Sequence, residues 1–193
     1  MSSRVEVPKG FRIHEGFISR ETETALMAQF EQAEKEANDG HYDGFTFMDP
    51  EAFDNIFIPT IEHVFARMRM LNAFPTAIGR ELVVGCTMIG YEVDGYIKRH
   101  VDSDALSGDV VCVLSMGSAA VLNFYRDGTA REYQAVVPPR SLYMMGGESR
   151  YKWSHELKPG PWLVQGKKIP RTRRFAMVFY EPGPLYNGEL LRY

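Results

Sequence analysis

The sequence predicts an α+β fold in which two N-terminal helices pack on one face of a β-sandwich or jelly roll. Apolar residues recur at helical spacing in the first third of the chain, and from Glu81 onward they occur in short β-rich runs with a period of two. The length of 193 residues fits one domain of 1–193, since domains average about 150 residues. The composition, 45% hydrophobic and 24% charged, is that of a globular protein and excludes a disordered or fibrous chain.

Capping residues and apolar stripes predict the two helices. Ser19 is a suitable N-cap for the first helix, with Glu21 and Glu23 in the first turn and Asn38-Asp39-Gly40 as its stop. Pro59 opens the second helix, which runs through TIEHVFARMRMLNAF. The predicted apolar faces contain Leu26, Phe30, Ala33 and Ala37 in the first helix, and Ile61, Val64, Phe65, Met68 and Leu71 in the second.

About eight short strands follow the helices. Arg126-Asp127-Gly128-Thr129 predicts a hairpin turn, because Asp-Gly supports positive φ. Residues 182–193 are expected to form a short C-terminal tail. The clearest strand-like runs are ELVVGCTMIGYE, DVVCVLSMG, AAVLNFYRDG, REYQAVVPP, RSLYMMGG and RRFAMVFYEP.

Charge and cysteine content limit the function classes. The net charge of −3 argues against a protein that binds nucleic acid mainly through electrostatics. Cys86 and Cys112 both lie in apolar runs, which favours buried thiols in a reducing compartment over a disulfide. Without an apolar run of about 18 residues or a signal core, we expect an intracellular protein that does not enter membranes. It would reside in the cytoplasm, nucleus or mitochondrial matrix, with a monomer as the default state.

The most informative residues are a possible metal-binding group. His100 and Asp102 stand at i and i+2, on the same face of an extended chain, and His155 ends another strand-like run, GGESRYKWSHEL. Two imidazoles and one carboxylate are the ligands of the facial triad that holds Fe(II) with open positions. The alternatives are a surface His–Asp pair beside a buried histidine, or a zinc site. The other histidines lack ligand partners, with His14 and His63 in the helical region and His41 in a polar loop.

Arg174 opens an apolar strand 19 residues after His155. A buried guanidinium requires a partner, and a carboxylate matches its fork with two hydrogen bonds. We therefore predict that Arg174 binds a dicarboxylate cosubstrate, unless it simply reaches solvent at the strand end.

These motifs together resemble the AlkB-like Fe(II)/2-oxoglutarate-dependent dioxygenases. The resemblance covers residues 11–181, and its most specific segment is GESRYKWSH, followed by the arginine that opens the last core strand. Within that family, GYIKRHVDS and KIPRTRRFAMV look most like the mitochondrial homologue of animals. The resemblance implies a double-stranded β-helix core.

The resemblance also implies roles for individual residues. Fe(II) would be held by His100, Asp102 and His155, and Arg174 would grip the distal carboxylate of 2-oxoglutarate. Tyr143 and Tyr91 match tyrosines of the cosubstrate pocket. Tyr180 lies six residues after Arg174, at the end of the strand that Arg174 opens. Many members carry a second arginine at this position, near the metal-binding carboxylate, and we include Tyr180 with the cosubstrate-binding residues. Two further positions depart from the family pattern, Ile89 and Ala176, each of which replaces an asparagine.

The implied activity is oxidative demethylation or hydroxylation of a nucleic-acid base, in RNA or DNA, or of a protein side chain. It would be coupled to decarboxylation of 2-oxoglutarate to succinate, with dioxygen as the second cosubstrate. The candidate lid, residues 41–57, is acidic and aromatic, whereas residues 167–174 carry a basic cluster suited to RNA or an acidic protein. Arg150 is interpreted as a structural residue near the site. The alternative function is that of a catalytically degenerate binding or regulatory module.

Overall fold

The computed structural model describes residues 7–36, 45–48, 58–75, 81, 83–187 and 190–192. The strands in these segments are β1 Arg12–His14, β2 Phe45–Met48, β3 Val83–Tyr91, β4 Ile97–His100, β5 Ser107–Met116, β6 Ala120–Arg126, β7 Glu132–Val137, β8 Ser141–Gly146, β9 Trp153–Leu157, β10 Trp162–Val164, β11 Lys167–Ile169, β12 Arg174–Pro182 and β13 Leu191–Arg192. The helices are α1 Arg20–Glu36, α2 Ile58–Met70 and the short α3 Glu148–Tyr151.

Two antiparallel sheets form the body of the fold. The larger sheet has the order β1-β8-β5-β12-β3-β13, with β2 also paired to β3. The smaller sheet has the order β4-β9-β6-β7, and β10 and β11 form a separate hairpin. This arrangement, with helices α1 and α2 beside the sheets, confirms the predicted α+β jelly roll.

The larger sheet lies between two hydrophobic cores, and alternate residues along its strands belong to one core or the other. On β5, Cys112 and Leu114 belong to the core shared with α1 and α2, whereas Val111 and Val113 belong to the core shared with the smaller sheet. The same alternation on β12 separates Phe175 from Ala176. Because successive side chains of a strand point to opposite faces, β5 and β12 must be apolar on both sides.

The helices begin as their sequence predicts. The backbone N–H of Thr22 donates to the Ser19 hydroxyl at 3.1 Å, which confirms the N-cap of α1. Pro59 is the second residue of α2, and the helix ends at Met70, before the final residues of the predicted run. The apolar faces are buried as predicted at Leu26, Phe30, Ile61, Val64, Phe65 and Met68. Ala37 and the predicted stop at residues 38–40 lie outside the described residues.

The hairpin turn between β6 and β7 is confirmed. Gly128 has a φ of 71°, and the Thr129 N–H donates to the Arg126 carbonyl at 3.2 Å. Cys86 and Cys112 are buried free thiols, also as predicted. Burial raises the pKa of both thiols.

Three local predictions were wrong or incomplete. The run GGESRYKWSHEL is not one strand, because residues 148–151 form α3 before β9 begins. His14 lies on β1 and not in a helical region. Residues 182–193 are more than a tail, because β13 pairs with β3, and Tyr186 packs edge-on against Tyr180. No helix among the described segments has the length and apolarity needed to cross a lipid bilayer.

Candidate metal centre and cosubstrate pocket

The three predicted metal ligands converge at one end of the smaller sheet. His100 and His155 are Cα partners across the antiparallel pair β4–β9, and Asp102 follows β4 directly. The register shifts between the Ile97 pair and the His100 pair, as at a β-bulge. Such irregularities re-aim side chains near active sites. One ligand atom from each of the three residues lies within 4.8 Å of the others.

The ligand atoms face one another across a small gap. Asp102 Oδ1 lies 3.4 Å from Nε2 of His100 and 4.0 Å from Nε2 of His155. The two imidazole rings are 4.3 Å apart between centroids. Two imidazole nitrogens and one carboxylate oxygen match the donor set of a facial triad, so these residues fit Fe(II).

The backbone of β4 selects the tautomer of His100. Its Nδ1 lies 2.8 Å from the carbonyl oxygen of Lys98, which can only accept a hydrogen bond. Nδ1 therefore carries a proton, and Nε2 faces Asp102: it donates to the carboxylate when the imidazole is protonated and offers its lone pair to a metal when the imidazole is neutral. This arrangement is the usual way in which proteins orient a metal-binding imidazole.

Burial and the carboxylate set opposite pKa shifts on the two histidines. Burial lowers the pKa of His155 to about 4, so its imidazole is neutral at physiological pH. Burial also acts to lower the pKa of His100, but hydrogen bonds to Asp102 and to the Lys98 carbonyl raise it overall. For Asp102, burial acts to raise the pKa, yet the hydrogen bond with His100 and the neighbouring histidine and arginine charges lower it. The triad thus combines a neutral imidazole with an ionised carboxylate.

Arg174 is buried, with 3% of its surface exposed. Its Nη2 donates to the Ser115 hydroxyl at 3.0 Å, and its guanidinium carbon lies 4.7 Å from the ring centroid of Tyr91. Its Nε is buried and has no hydrogen-bond partner in the described structure. The arginine ion pairs found between described residues involve Arg99, Arg126, Arg140 and Arg173 instead.

A buried guanidinium with a spare donor and no carboxylate partner fits an anionic ligand. The alternative prediction, that Arg174 reaches solvent at the end of its strand, is wrong, because the side chain is buried. Tyr91 is the Cα partner of Arg174 across β3 and β12.

A cavity of about 60 Å³ reaches the metal ligands and is lined by Tyr91, the residue whose ring the Arg174 guanidinium faces. Tyr91 and Tyr143 line it together with His100, Asp102 and His155, so it connects the predicted cosubstrate residues to the triad. Burial raises the pKa of both tyrosines, which keeps their hydroxyls protonated as hydrogen-bond donors. Most of the remaining wall is aliphatic, as expected for a small site that excludes water.

Tyr180 occupies a different position from the other predicted cosubstrate residues. It lies near the opposite end of β12 from Arg174 and, unlike Tyr91 and Tyr143, is not among the residues that line the cavity. Its hydroxyl is 3.2 Å from the Thr87 hydroxyl. Ile89 and Ala176, which depart from the family pattern, both line the cavity.

The basic cluster of residues 167–174 is divided among several environments. Lys167 and Lys168 are exposed on β11, whereas Arg173 pairs with Glu92 at 3.4 Å and Arg174 is buried. The guanidinium of Arg171 lies 4.1 Å from the centroid of the Trp162 ring and donates to the carbonyls of Gly160 and Gly95.

In the candidate lid, only residues 45–48 fall within the described part of the chain, as strand β2.

One contributor to the site, Ser115, was not apparent in the sequence. Ser115 holds the arginine of the cosubstrate pocket, but its position in an apolar run gave no sign of this contact. Arg150 contacts the backbone of the segment that begins at Asp102. A buried arginine in the run GESRYKWSH was the available signal, and the interpretation of Arg150 as structural agrees with these contacts.

The jelly-roll core thus carries a His-X-Asp…His group and a buried arginine with one unpaired N–H in the described structure, the arrangement that the resemblance to 2-oxoglutarate-dependent dioxygenases implies. Sequence comparison finds AlkB homologues among the similar proteins. "Alpha-ketoglutarate-dependent dioxygenase alkB homolog 7, mitochondrial" of Bos taurus is 31% identical over 115 residues, covering 58% of this chain and 52% of that protein. The mouse form is 26% identical over 170 residues, covering 86% of this chain and 76% of that protein.

Other comparisons agree. "Uncharacterized protein L905" of Acanthamoeba polyphaga mimivirus is 35% identical over 85 residues, which span 43% of this chain and 40% of the viral protein. The solved structure of OsALKBH1 superposes with a TM-score of 0.59 at 15% identity, covers 91% of this chain and 100% of that one, and confirms the fold. No protein-family model matches the chain. The chain is similar to AlkB homologues, the animal mitochondrial one among them, as its motifs predict.

Proposed function

We propose that this chain is an active Fe(II)/2-oxoglutarate-dependent dioxygenase. It would demethylate or hydroxylate its substrate, a nucleic-acid base in RNA or DNA or a protein side chain. The observation that carries the proposal is the buried Arg174, whose Nε–H has no partner in the described structure and whose guanidinium faces Tyr91, a residue that lines the cavity together with His100, Asp102 and His155. A dicarboxylate in that cavity would satisfy the arginine at one end and reach the metal at the other.

Each residue of the site would have a defined task. His100, Asp102 and His155 would hold Fe(II), which supplies the activation of dioxygen and the oxidation of a substrate C–H bond. Arg174 would bind the distal carboxylate of 2-oxoglutarate, with Tyr91 and Tyr143 donating hydrogen bonds from the pocket wall. The aliphatic wall would exclude water from the reacting groups. When the oxidised carbon is an N-methyl group, the product loses formaldehyde, whereas other carbons remain hydroxylated.

An anaerobic titration of the apo protein with Fe(II) and 2-oxoglutarate tests the proposal. We expect the visible charge-transfer band that 2-oxoglutarate gives when it chelates protein-bound Fe(II). His155→Ala and Arg174→Ala should lose the band. Their matched controls are His63→Ala, on the exposed face of α2, and Arg173→Ala, next to Arg174 but paired with Glu92. The absence of the band from folded wild-type protein would contradict the enzyme proposal.

The substrate can be identified from turnover. Formation of succinate should be stimulated by the correct substrate above the slow uncoupled rate. Methylated RNA, methylated DNA and methylated peptides form the three arms of the screen, with unmethylated versions of each as controls. Formaldehyde release separates demethylation from hydroxylation. The exposed Lys167 and Lys168 support an acidic substrate but favour neither nucleic acid nor protein.

Tyr180 motivates the second candidate, a catalytically degenerate binding or regulatory module. A tyrosine stands where many AlkB-like proteins carry an arginine near the metal-binding carboxylate. A module of this kind would bind its partner without consuming 2-oxoglutarate, and Asp102→Ala would leave that binding intact. Measured consumption of 2-oxoglutarate that Asp102→Ala abolishes would reject this candidate.

We further propose an intracellular location, in the cytoplasm, nucleus or mitochondrial matrix. The name of the mitochondrial relatives supports the matrix in particular. Fractionation of cells that express the tagged full-length protein tests this assignment, and its recovery from the medium would overturn it.

A further inference from the structure

Arg150 is one of the most deeply buried large side chains of the described structure, with 1% of its surface exposed. It lies in α3, and all the hydrogen bonds that its guanidinium donates to described residues go to the segment 102–108, which includes Asp102 of the metal-binding motif. Its acceptors are the carbonyls of Asp102 at 2.7 Å, Ser103 at 3.2 Å, Ser107 at 3.0 Å and Gly108 at 3.2 Å, and the Ser107 hydroxyl at 2.8 Å.

The segment 102–108 closes around this guanidinium. Ser107 donates to the Ser103 carbonyl from both its backbone N–H, at 2.9 Å, and its hydroxyl, at 2.8 Å. The loop therefore points several carbonyl groups inward, where they need donors from elsewhere in the protein. The planar fork of an arginine presents five N–H donors at fixed angles, whereas a lysine offers three donors at a single point.

The same contacts connect the two halves of the metal centre. Asp102 supplies both a predicted metal-binding carboxylate and one of the carbonyls that Arg150 holds. Arg150 is also five residues before His155, on the continuous segment of α3 and β9. The guanidinium thus bridges the chain segment that carries Asp102 and the segment that carries His155.

We infer that Arg150 is a positioning residue that fixes the Asp102 carboxylate for metal binding without touching the metal. The inference rests on the proposed function, since it concerns the same site. If Arg150 served stability alone, its loss would destabilise the 102–108 loop but leave metal binding by the folded protein unchanged. A positioning role requires that the loss of the arginine fork change how the triad binds a metal in protein that remains folded.

Metal titration of the full-length apo protein with Co(II) alone tests the inference. Co(II) stands in for Fe(II), and its visible absorption reports coordination geometry. Arg150→Lys keeps the positive charge but loses the fork, so we expect Co(II) affinity to fall about 10- to 100-fold, with an altered spectrum. The control is Arg126→Gln, which removes the 2.7 Å contact from Arg126 to Glu148 of α3 and leaves the 102–108 loop untouched. We expect this control to bind Co(II) like the wild type.

The possible outcomes separate the inference from the proposed function. Wild-type protein that fails to bind Co(II) would overturn both. Folded Arg150→Lys with wild-type affinity and spectrum would overturn the positioning role alone, even if its melting temperature fell. If Arg150→Lys does not fold, Ser107→Ala decides the matter, because it removes one acceptor of Arg150 together with the hydroxyl's own hydrogen bond to the Ser103 carbonyl. We expect a loss of Co(II) affinity of about 2- to 5-fold for Ser107→Ala, and an unchanged affinity would reject the inference.

Discussion

Arg150 and Arg174 are both almost completely buried, yet their surroundings differ. The guanidinium of Arg150 is surrounded by backbone carbonyls of the 102–108 loop, and each of its three nitrogens donates at least one hydrogen bond. Arg174 has the Ser115 hydroxyl and the face of Tyr91, with its Nε–H left unpaired. The protein thus supplies hydrogen-bond acceptors for all three nitrogens of Arg150, whereas the Nε–H of Arg174 has no acceptor among the described residues.

This difference distinguishes a structural cation from a ligand-binding one. Burying an arginine is costly unless its donors are satisfied, so a fully bonded arginine can stabilise the apo fold. An incompletely bonded arginine should contribute little to the apo fold, because its partner arrives with the ligand. The same substitution is therefore expected to lower the stability of the apo protein at Arg150 and to change it little at Arg174.

The largest expected effect is on stability, in Arg150→Met. The substitution leaves the carbonyls of the 102–108 loop without donors inside the protein. We expect the free energy of unfolding to fall by about 3–5 kcal/mol, since each unsatisfied buried group costs about 1–3 kcal/mol and the loop can partly relax. Urea denaturation of the apo protein measures this change. Arg174→Met is the matched variant, and a loss as large as that of Arg150→Met would contradict the distinction.

The second effect is on cosubstrate affinity, in Arg174→Met. Loss of the buried partner of a carboxylate should weaken 2-oxoglutarate binding about 100-fold or more, equivalent to about 3 kcal/mol. Anaerobic calorimetry in the presence of Mn(II) measures the change in Kd. Arg173→Met serves as the control, and we expect it to bind 2-oxoglutarate as the wild type does. Equal affinities in wild type and Arg174→Met would mean that Arg174 does not bind the cosubstrate.

The third prediction concerns the stability of the loaded protein. At a 2-oxoglutarate concentration about 100 times its Kd, with Mn(II) present, bound ligand should add about 2.7 kcal/mol to the free energy of unfolding. For a chain of this size the melting temperature should rise by about 5–10 °C. Arg174→Met should lose this increment but keep any shift caused by Mn(II) alone, because the metal ligands are intact. Thermal melts with metal, cosubstrate and both together distinguish these contributions.

Much of the fold follows from local patterns that the sequence displays. The short β-rich runs identified the strands of the larger sheet, because β5 and β12 face two cores and carry apolar residues on both faces. The cap at Ser19 and the turn at Gly128 depend on contacts between residues three apart or fewer. The metal-binding group was also visible, since His100 and Asp102 are two residues apart.

The remaining features depend on contacts between distant parts of the chain. Arg150 binds a loop that lies 42 to 48 residues earlier, and Arg174 binds Ser115, 59 residues earlier. Neither pairing leaves a periodic signal in the sequence. The short helix α3 was missed because its four residues span barely one turn, too few to display a helical period. Such elements are defined by the tertiary contacts that they serve.

The smallest predicted effect is that of Tyr180→Phe, at the opposite end of β12 from Arg174. The substitution removes the hydroxyl that lies 3.2 Å from Thr87 and keeps the ring that packs against Tyr186. We expect a loss of about 1 kcal/mol in the free energy of unfolding, typical of one partly buried hydrogen bond. Because Tyr180 lies near the opposite end of β12 from Arg174 and does not line the cavity, 2-oxoglutarate affinity should change by less than about 2-fold, or less than about 0.4 kcal/mol. A larger loss of affinity would place Tyr180 in the cosubstrate site, as the family resemblance implies, and would extend that site along β12 beyond the surroundings of Arg174.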